Sequence, residues 1–263
     1  MADNNLRDIQ SEPDTRNIPI NKVGVKDISY PVVVLDKADG RQHTVANVNM
    51  YVDLPHNFRG THMSRFIEIL NKFRDGISTL KIREILDDMK EQLMAQRAHF
   101  EIEFPYFITK KAPVSGQEAK MEYACKLAGD SMFESYMLEV RIPVLSLCPC
   151  SKEISEYGAH NQRSIITIKI KADERIWIED IVEIAENSGS TEVYSILKRE
   201  DEKYITEKAY CNPMFVEDMV RSAAEKLMKL KGVLWFSVES ENMESIHNHS
   251  AYAMIESYVA EKM

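Results

Sequence analysis

Apolar positions along the chain alternate with polar ones in some stretches and recur every three to four residues in others. Residues 28–36 and 43–54 read as strands, with Val45, Val48 and Val52 among their β-branched positions. Asp39 and Gly40 between them supply a hairpin turn. The period then changes. Residues 64–73 place Phe66, Ile67, Ile69, Leu70 and Phe73 on one helical face. Residues 78–96 repeat the pattern with Leu80, Ile82, Ile85, Leu86, Met89 and Leu93, with Ser78 as the expected N-cap. Strand alternation returns at 99–109, where Phe100, Ile102 and Phe104 interleave with Glu101 and Glu103, and at 120–127 with Met121, Tyr123, Cys125 and Leu127.

The second half follows the same order. Strands are expected at 138–145 (Leu138, Val140, Ile142, Val144) and 164–171 (Ile166, Ile168, Ile170). Helices are expected at 178–186, 191–198 and 213–229, with Pro213 in the first turn and Gly232 beyond the end of the last. Strands close the chain at 233–239 and 251–259. Each half thus reads two strands, helices, two strands, with no obvious sequence identity between halves. The economical arrangement is α+β: two antiparallel sheets, each backed by helices. The expected division is a disordered arm over 1–17, a first module over 18–130 and a second over 131–263.

Composition narrows the function. With 44% hydrophobic and 29% charged residues in 263, the chain can build a core without disulfides or structural metal, and collagen, coiled coil and wholesale disorder are excluded. The net charge of −9 argues against broad nucleic-acid binding, so an anionic small molecule would need a local basic pocket. No run reaches the roughly 18 apolar residues of a membrane helix. Residues 1–17 carry no apolar stretch for an export signal, so a cytoplasmic location is expected. The four cysteines, Cys125, Cys148, Cys150 and Cys211, are then free thiols for packing, metal or chemistry.

Ligand-type residues gather in two short stretches near strand ends: Cys148, Cys150 and His160, and Glu244, His247 and His249. No second cysteine pair follows, so an open catalytic site of mixed thiolate, imidazole and carboxylate fits better than a closed structural one. Such a site leaves a position for water and lowers its pKa. The plain alternative is a small core cysteine and packing histidines. The charge run at 198–203 accompanies these stretches, although a run of this kind alone reads as a solvated face. A third stretch around Arg59, His62, Ser64 and Arg65 opens a helix, where free N–H groups and the dipole favour an anion. Composition alone favours a capped helix with surface charges there.

Four motifs carry a resemblance: GTHMSRF at 60–66, SLCPCSKEI at 146–154, GAHNQRS at 158–164 and ESIHNHSAY at 244–252. They closely resemble the type IB GTP cyclohydrolase I family, the metal-dependent bacterial and archaeal form, from about residue 14 to the C-terminus. The resemblance implies tandem tunnelling-fold modules assembled as a homotetramer, with sites at subunit interfaces. It implies conversion of GTP and water to 7,8-dihydroneopterin triphosphate and formate by metal-hydroxide attack on guanine C8, opening the folate and queuosine routes. The divalent metal would be zinc, manganese or iron. Cys148 and His160 match the family's thiolate and imidazole ligands. Glu202 matches its carboxylate ligand, with Glu200 the competing assignment. Glu244 and His247 match additional ligands or proton carriers, with His249 close by. Cys148, Glu244, His247 and His249 are then the catalytic set, and Cys150 a bystander. Glu217 resembles the purine anchor, a carboxylate that can accept from the guanine ring N–H and the 2-amino group together. His62, Ser64 and Arg65 become triphosphate candidates.

Two other functions compete. A nitrile reductase of the same fold uses a cysteine adduct and NADPH, but its Glu-Ser-x-Ser-x-Lys-like segment has no counterpart here. A non-catalytic metal- or pterin-binding protein of the same fold would need no proton carriers beside the metal.

Overall fold

The first strand, β1 (Ile20–Asp36), turns back on β2 (Gly40–Leu54) at the expected place. Gly40 takes a φ of +78°, which glycine adopts without steric cost. The Asp36 carboxylate accepts the N–H groups of Ala38 and Asp39 at 2.8 and 2.7 Å, an Asx-type closure of the turn. These strands belong to a computed structural model that describes residues 8–10, 12–78, 81–133 and 136–259. The described residues divide into two compact units. One comprises Met1–Phe104 with Leu127–Tyr136, the other Pro105–Lys126 with Met137–Met263. Strands β3 (Ala98–Lys111) and β4 (Glu118–Asp130) contribute residues to both.

In the first unit β2 lies between β1 and the start of β3, all antiparallel. Helices α1 (Met63–Phe73) and α2 (Ile82–Leu93) bury the faces read from the sequence: Phe66, Ile69, Leu70 and Phe73 on one, Ile82, Ile85, Leu86, Met89 and Leu93 on the other. Ser78 is not the cap of α2. The helix starts after Lys81, whose N–H donates to the Ser78 carbonyl at 3.0 Å, while Leu80 lies outside the described residues. Of the segment read as an arm, residues 1–7 and 11 are also outside them. Its remainder runs against residues 57–60 through Asp14 N to Asn57 O (3.3 Å), Arg59 N to Glu12 O (3.1 Å) and Gly60 N to Gln10 O (3.1 Å).

In the second unit the strands pair in the order β3, β4, β5 (Tyr136–Leu147), β6 (Asn161–Ala172), β8 (Val233–Asn242), β9 (Ala251–Tyr258). A two-residue strand, β7 (Thr191–Glu192), pairs antiparallel with the end of β5. Helices α4 (Ile178–Glu186), α5 (Arg199–Cys211) and α6 (Val216–Leu227) complete the unit, with a short α3 (Pro149–Ile154). Helix α6 buries Val216, Met219, Val220, Ala223, Ala224 and Leu227, a stripe at helical spacing that packs on β8 and α4. Each large side chain so buried is worth about 1.5–3 kcal/mol.

The fold is α+β, antiparallel sheet backed by helices, as the alternation predicts. Three further local expectations fail. Residues 191–198 form β7 and loop rather than helix, because Thr191 and Glu192 pair with Leu145 and Val144. The charge run at 198–203 starts helix α5, whose buried residues are only Asp201 and Ala209 and which therefore shows little apolar period. Pro213 precedes α6, whose N-cap is Phe215.

The core-facing rows change character toward one end. On β6 the buried Ile170, Ile168 and Ile166 give way to Ser164 and Gln162. On β8 Phe236 and Val238 give way to Ser240 and Asn242, and on β5 Val144 is followed by Ser146. The register Ser164↔Asn242, Ile166↔Ser240, Ile168↔Val238 puts the polar ends of β6 and β8 together.

Candidate active site

The C-terminal end of β5 is tied from two loops. Ser190 N donates to Leu145 O at 2.9 Å, and Leu147 N donates to Ser190 Oγ at 3.0 Å. Met214 N donates to Leu147 O at 3.1 Å. Asn212 joins the loops through Nδ2 to the carbonyls of Gly189 and Ser190 at 3.2 and 3.1 Å. Gly189 approaches the strand so closely that a Cβ there would stand 2.8 Å from Val144 Cβ. The next residue along this anchored strand is Cys148.

Cys148 is half-buried and forms the N-cap of α3, with Pro149 at the first helical position. Its Sγ accepts the Ser151 N–H at 3.5 Å, and its own N–H donates to His160 O at 3.1 Å. Ser151 fastens the pair: its hydroxyl donates to Cys148 O and accepts His160 N–H, each at 3.2 Å. His160 Nδ1 lies 2.9 Å from Gln162 Oε1 and 3.8 Å from Glu244 Oε2. Glu244 follows β8, and its Oε1 is 3.4 Å from Gln162 Nε2. Thiol, imidazole and carboxylate thus come from the ends of three neighbouring strands in one unit.

The remaining sequence candidates stand elsewhere. His247 and His249 are exposed in the loop after Glu244, with rings stacked at 5.1 Å and an interplanar angle of 23°. The loop turns on His247 N donating to Glu244 O at 3.3 Å. Glu202 is exposed in the first turn of α5, and among the described residues no hydrogen bond or ion pair joins it to Cys148, His160 or Glu244. Its neighbour Asp201 is buried. There it accepts Val114 N, Ser115 N, Ser115 Oγ and Lys198 N at 2.6–2.9 Å. Burial pushes the Asp201 pKa up, but these donors outweigh it and hold the carboxyl well below the usual range. Glu217 is exposed in the first turn of α6, and Asp218 beside it accepts the Phe215 N–H at 3.1 Å. Cys150 is exposed on α3.

His62, Ser64 and Arg65 belong to the first unit. His62 holds the N-cap position of α1 without a side-chain cap bond, and its Nε2 lies 3.2 Å from Asp8 Oδ2. Ser64 is exposed, and Arg65 Nη1 donates to Gln92 O at 2.9 Å.

Among the described residues no three His, Cys, Asp or Glu side chains are gathered closely enough to cage a metal ion as they stand. The donor chemistry nevertheless fits an ion of zinc type. One sulfur is already oriented by a backbone N–H, one imidazole has its Nδ1 engaged by an amide oxygen, and one carboxylate stands beside that imidazole. Sequence reasoning passed over Gln162, Ser146 and Asn242, which pack between these groups. The available signal was parity: each is a polar residue at a core-facing position of a strand.

A family model described as type I GTP cyclohydrolase folE2 matches residues 6–253. GTP cyclohydrolase FolE2 of Geotalea uraniireducens is 61% identical over 258 residues, covering 98% of this chain and 95% of that protein. The FolE2 protein of Geobacter sulfurreducens is 60% identical over 253 residues, covering 95% of this chain and 98% of its own length. Among solved structures, a uricase from Bacillus fastidious superposes with a TM-score of 0.51 over 90% of this chain and 92% of that one. At 6% identity the uricase likeness is one of fold alone, a tunnelling-fold-like arrangement of antiparallel sheet and helices. The family match over nearly the whole length, with Cys148, His160 and Glu244 side by side in the fold, leads to one conclusion: this chain belongs to the type I GTP cyclohydrolase FolE2 family.

Proposed function

We propose that the chain is a GTP cyclohydrolase I of the metal-dependent type IB, converting GTP and water to 7,8-dihydroneopterin triphosphate and formate. The observation that carries the reading is the juxtaposition of Cys148, His160 and Glu244 in a chain whose relatives are GTP cyclohydrolases. Cys148, His160 and Glu244 would hold the divalent ion, with Glu202 or His247 completing the set. When bound, a zinc, manganese or iron ion supplies Lewis acidity and an activated water for attack at guanine C8.

The chain's own groups do the rest. Glu217 accepts from the guanine ring N–H and 2-amino group and so selects guanine over adenine. His247 and His249 take up and return protons at their ring nitrogens as the imidazole ring of the purine opens and formate leaves. His62, Ser64 and Arg65 at the start of α1 bind the triphosphate, aided by the helix N-terminus. The reading includes two tandem tunnelling-fold modules, a homotetramer and a cytoplasmic setting in which the four free cysteines stay reduced.

The test is direct. Metal-replete protein incubated with GTP should release formate and yield a product that fluoresces as a pterin after oxidation. A chelator should abolish both signals, and added metal should restore them. Absence of formate from metal-replete protein would overturn the reading, and NADPH oxidation with a nitrile substrate would turn it toward the reductase.

A further inference from the structure

A string of polar side chains runs inside the second unit beneath the metal-ligand candidates. Ser146 is 0% exposed, Asn242 2% and Gln162 5%. Ser146 Oγ has three neighbours: Met214 O at 3.3 Å, Gln162 Nε2 at 3.1 Å and Asn242 Nδ2 at 3.2 Å. A hydroxyl donates once and accepts twice. The Met214 carbonyl can only accept, so the hydroxyl proton goes there, and both amides must present their NH₂ ends to Ser146. Asn242 then turns Oδ1 to Ser240 Oγ, 3.3 Å away, which can donate to it.

The same polarity sets the other end of Gln162. Its Oε1 faces His160 Nδ1 at 2.9 Å, and a carbonyl oxygen only accepts, so Nδ1 carries the ring proton. A neutral imidazole then keeps its lone pair on Nε2. Glu244 gives an independent check. Its Oε1 lies 3.4 Å from Gln162 Nε2, and a carboxylate beside the amide requires the NH₂ end on that side. Glu244 Oε2 is 3.8 Å from Nδ1, too far to compete for its proton.

We propose that Gln162 is a positioning residue that fixes His160 in the tautomer with Nε2 free for a metal ion while steering the Glu244 carboxylate, its own orientation being locked by Ser146. The inference rests on the metal reading above. Ligating histidines depend on such partners, whose loss costs roughly 10–100-fold in metal affinity.

The experiment measures Zn²⁺ affinity by chelator competition for wild type, Gln162→Met, Cys148→Ala and His160→Ala, with circular dichroism as a control for folding. Methionine nearly conserves the volume and removes all three hydrogen bonds of the Gln162 amide, to His160, Ser146 and Glu244. The expected result is a fall of roughly 10–100-fold for Gln162→Met and larger falls for the two ligand variants. In the Co²⁺-substituted protein the visible bands of Gln162→Met should also shift. Wild-type affinity and spectrum in Gln162→Met, with metal lost from Cys148→Ala and His160→Ala, would overturn the role of Gln162 and leave the metal reading standing. Unchanged affinity in all three variants would overturn both. A second measurement needs no variant: ¹⁵N shifts of the imidazoles in the metal-free wild-type chain should report a proton on His160 Nδ1, and a proton on Nε2 instead overturns the proposal even if Gln162→Met does not fold.

Discussion

Asp201 and Glu202 are adjacent in the chain and opposite in burial: the first lies wholly inside with four hydrogen bonds, the second faces solvent. Asp201 joins the start of α5 to the turn after β3, where Val114 and Ser115 donate to it. Asp201→Ala should therefore lower the melting temperature by several degrees, because three N–H groups and a hydroxyl lose the buried carboxylate to which they donate. Glu202→Ala should leave melting unchanged and act only on metal content or turnover. Equal melting of the two variants would contradict this division.

Cys148→Ala should cut formate release by at least roughly 100-fold while the fold survives, since a methyl in place of a half-buried thiol costs little packing. The exposed Cys150→Ala should be mild by comparison. The contrast is read from formate release and metal content measured on the same preparations. Two variants that behave alike would make Cys148 a packing residue.

If Glu217 anchors the purine, Glu217→Gln replaces one charge-assisted acceptor with a donor facing a donor. Affinity for GTP should fall roughly 10–100-fold, the equivalent of about 1.5–3 kcal/mol, with metal content unchanged. Unchanged GTP affinity in equilibrium binding would remove Glu217 from the site.

Acid should weaken the second unit through Glu192. Burial raises its pKa, but the Lys208 ammonium at 2.6 Å, backbone hydrogen bonding and the Tyr194 hydroxyl bring it down to about 2 from 4.5. A carboxylate depressed in the folded state contributes stability that is complete above pH 4.5 and drains away as pH falls toward 2. Denaturant midpoints measured across that window should fall less steeply in Lys208→Met than in wild type. Parallel slopes would show that the pair does not carry the effect.

Among the described strands β1 pairs only with β2, apart from a single bridge between Val34 and Ile77, and β9 only with β8, so each leaves most of an edge that a partner strand can cover. Light scattering should report an oligomer, a tetramer on the proposed reading. An active monomer at low concentration would contradict it.

Much of this was legible in advance where burial imposes a period. The rows Ile166, Ile168, Ile170 and Met219, Val220, Ala223 announce their strand and helix because one face of each must be apolar. Helix α5 was not legible, since its only buried residues are a hydrogen-bonded aspartate and an alanine. Asn212, Pro213 and Met214 belong to the loop that holds β5, and α6 opens later, where Asp218 takes the Phe215 N–H. The motifs around Cys148, His160 and Glu244 were visible as residue types. The amide and hydroxyl that orient them were not, because their function depends on which atoms meet across three strands.

The knot of bonds that Ser151 ties between Cys148 and His160 has a consequence for how the intervening chain can change. The excursion between the two donors is closed at its neck, so its outer turn, where Tyr157 is 95% exposed and Gly158 takes a φ of +131°, is mechanically insulated from the thiol and the imidazole. Gly158 must keep the φ that glycine alone adopts freely, but on the Tyr157 side of the tip a short inserted peptide becomes an address label the chain can wear without disturbing the groups at its base.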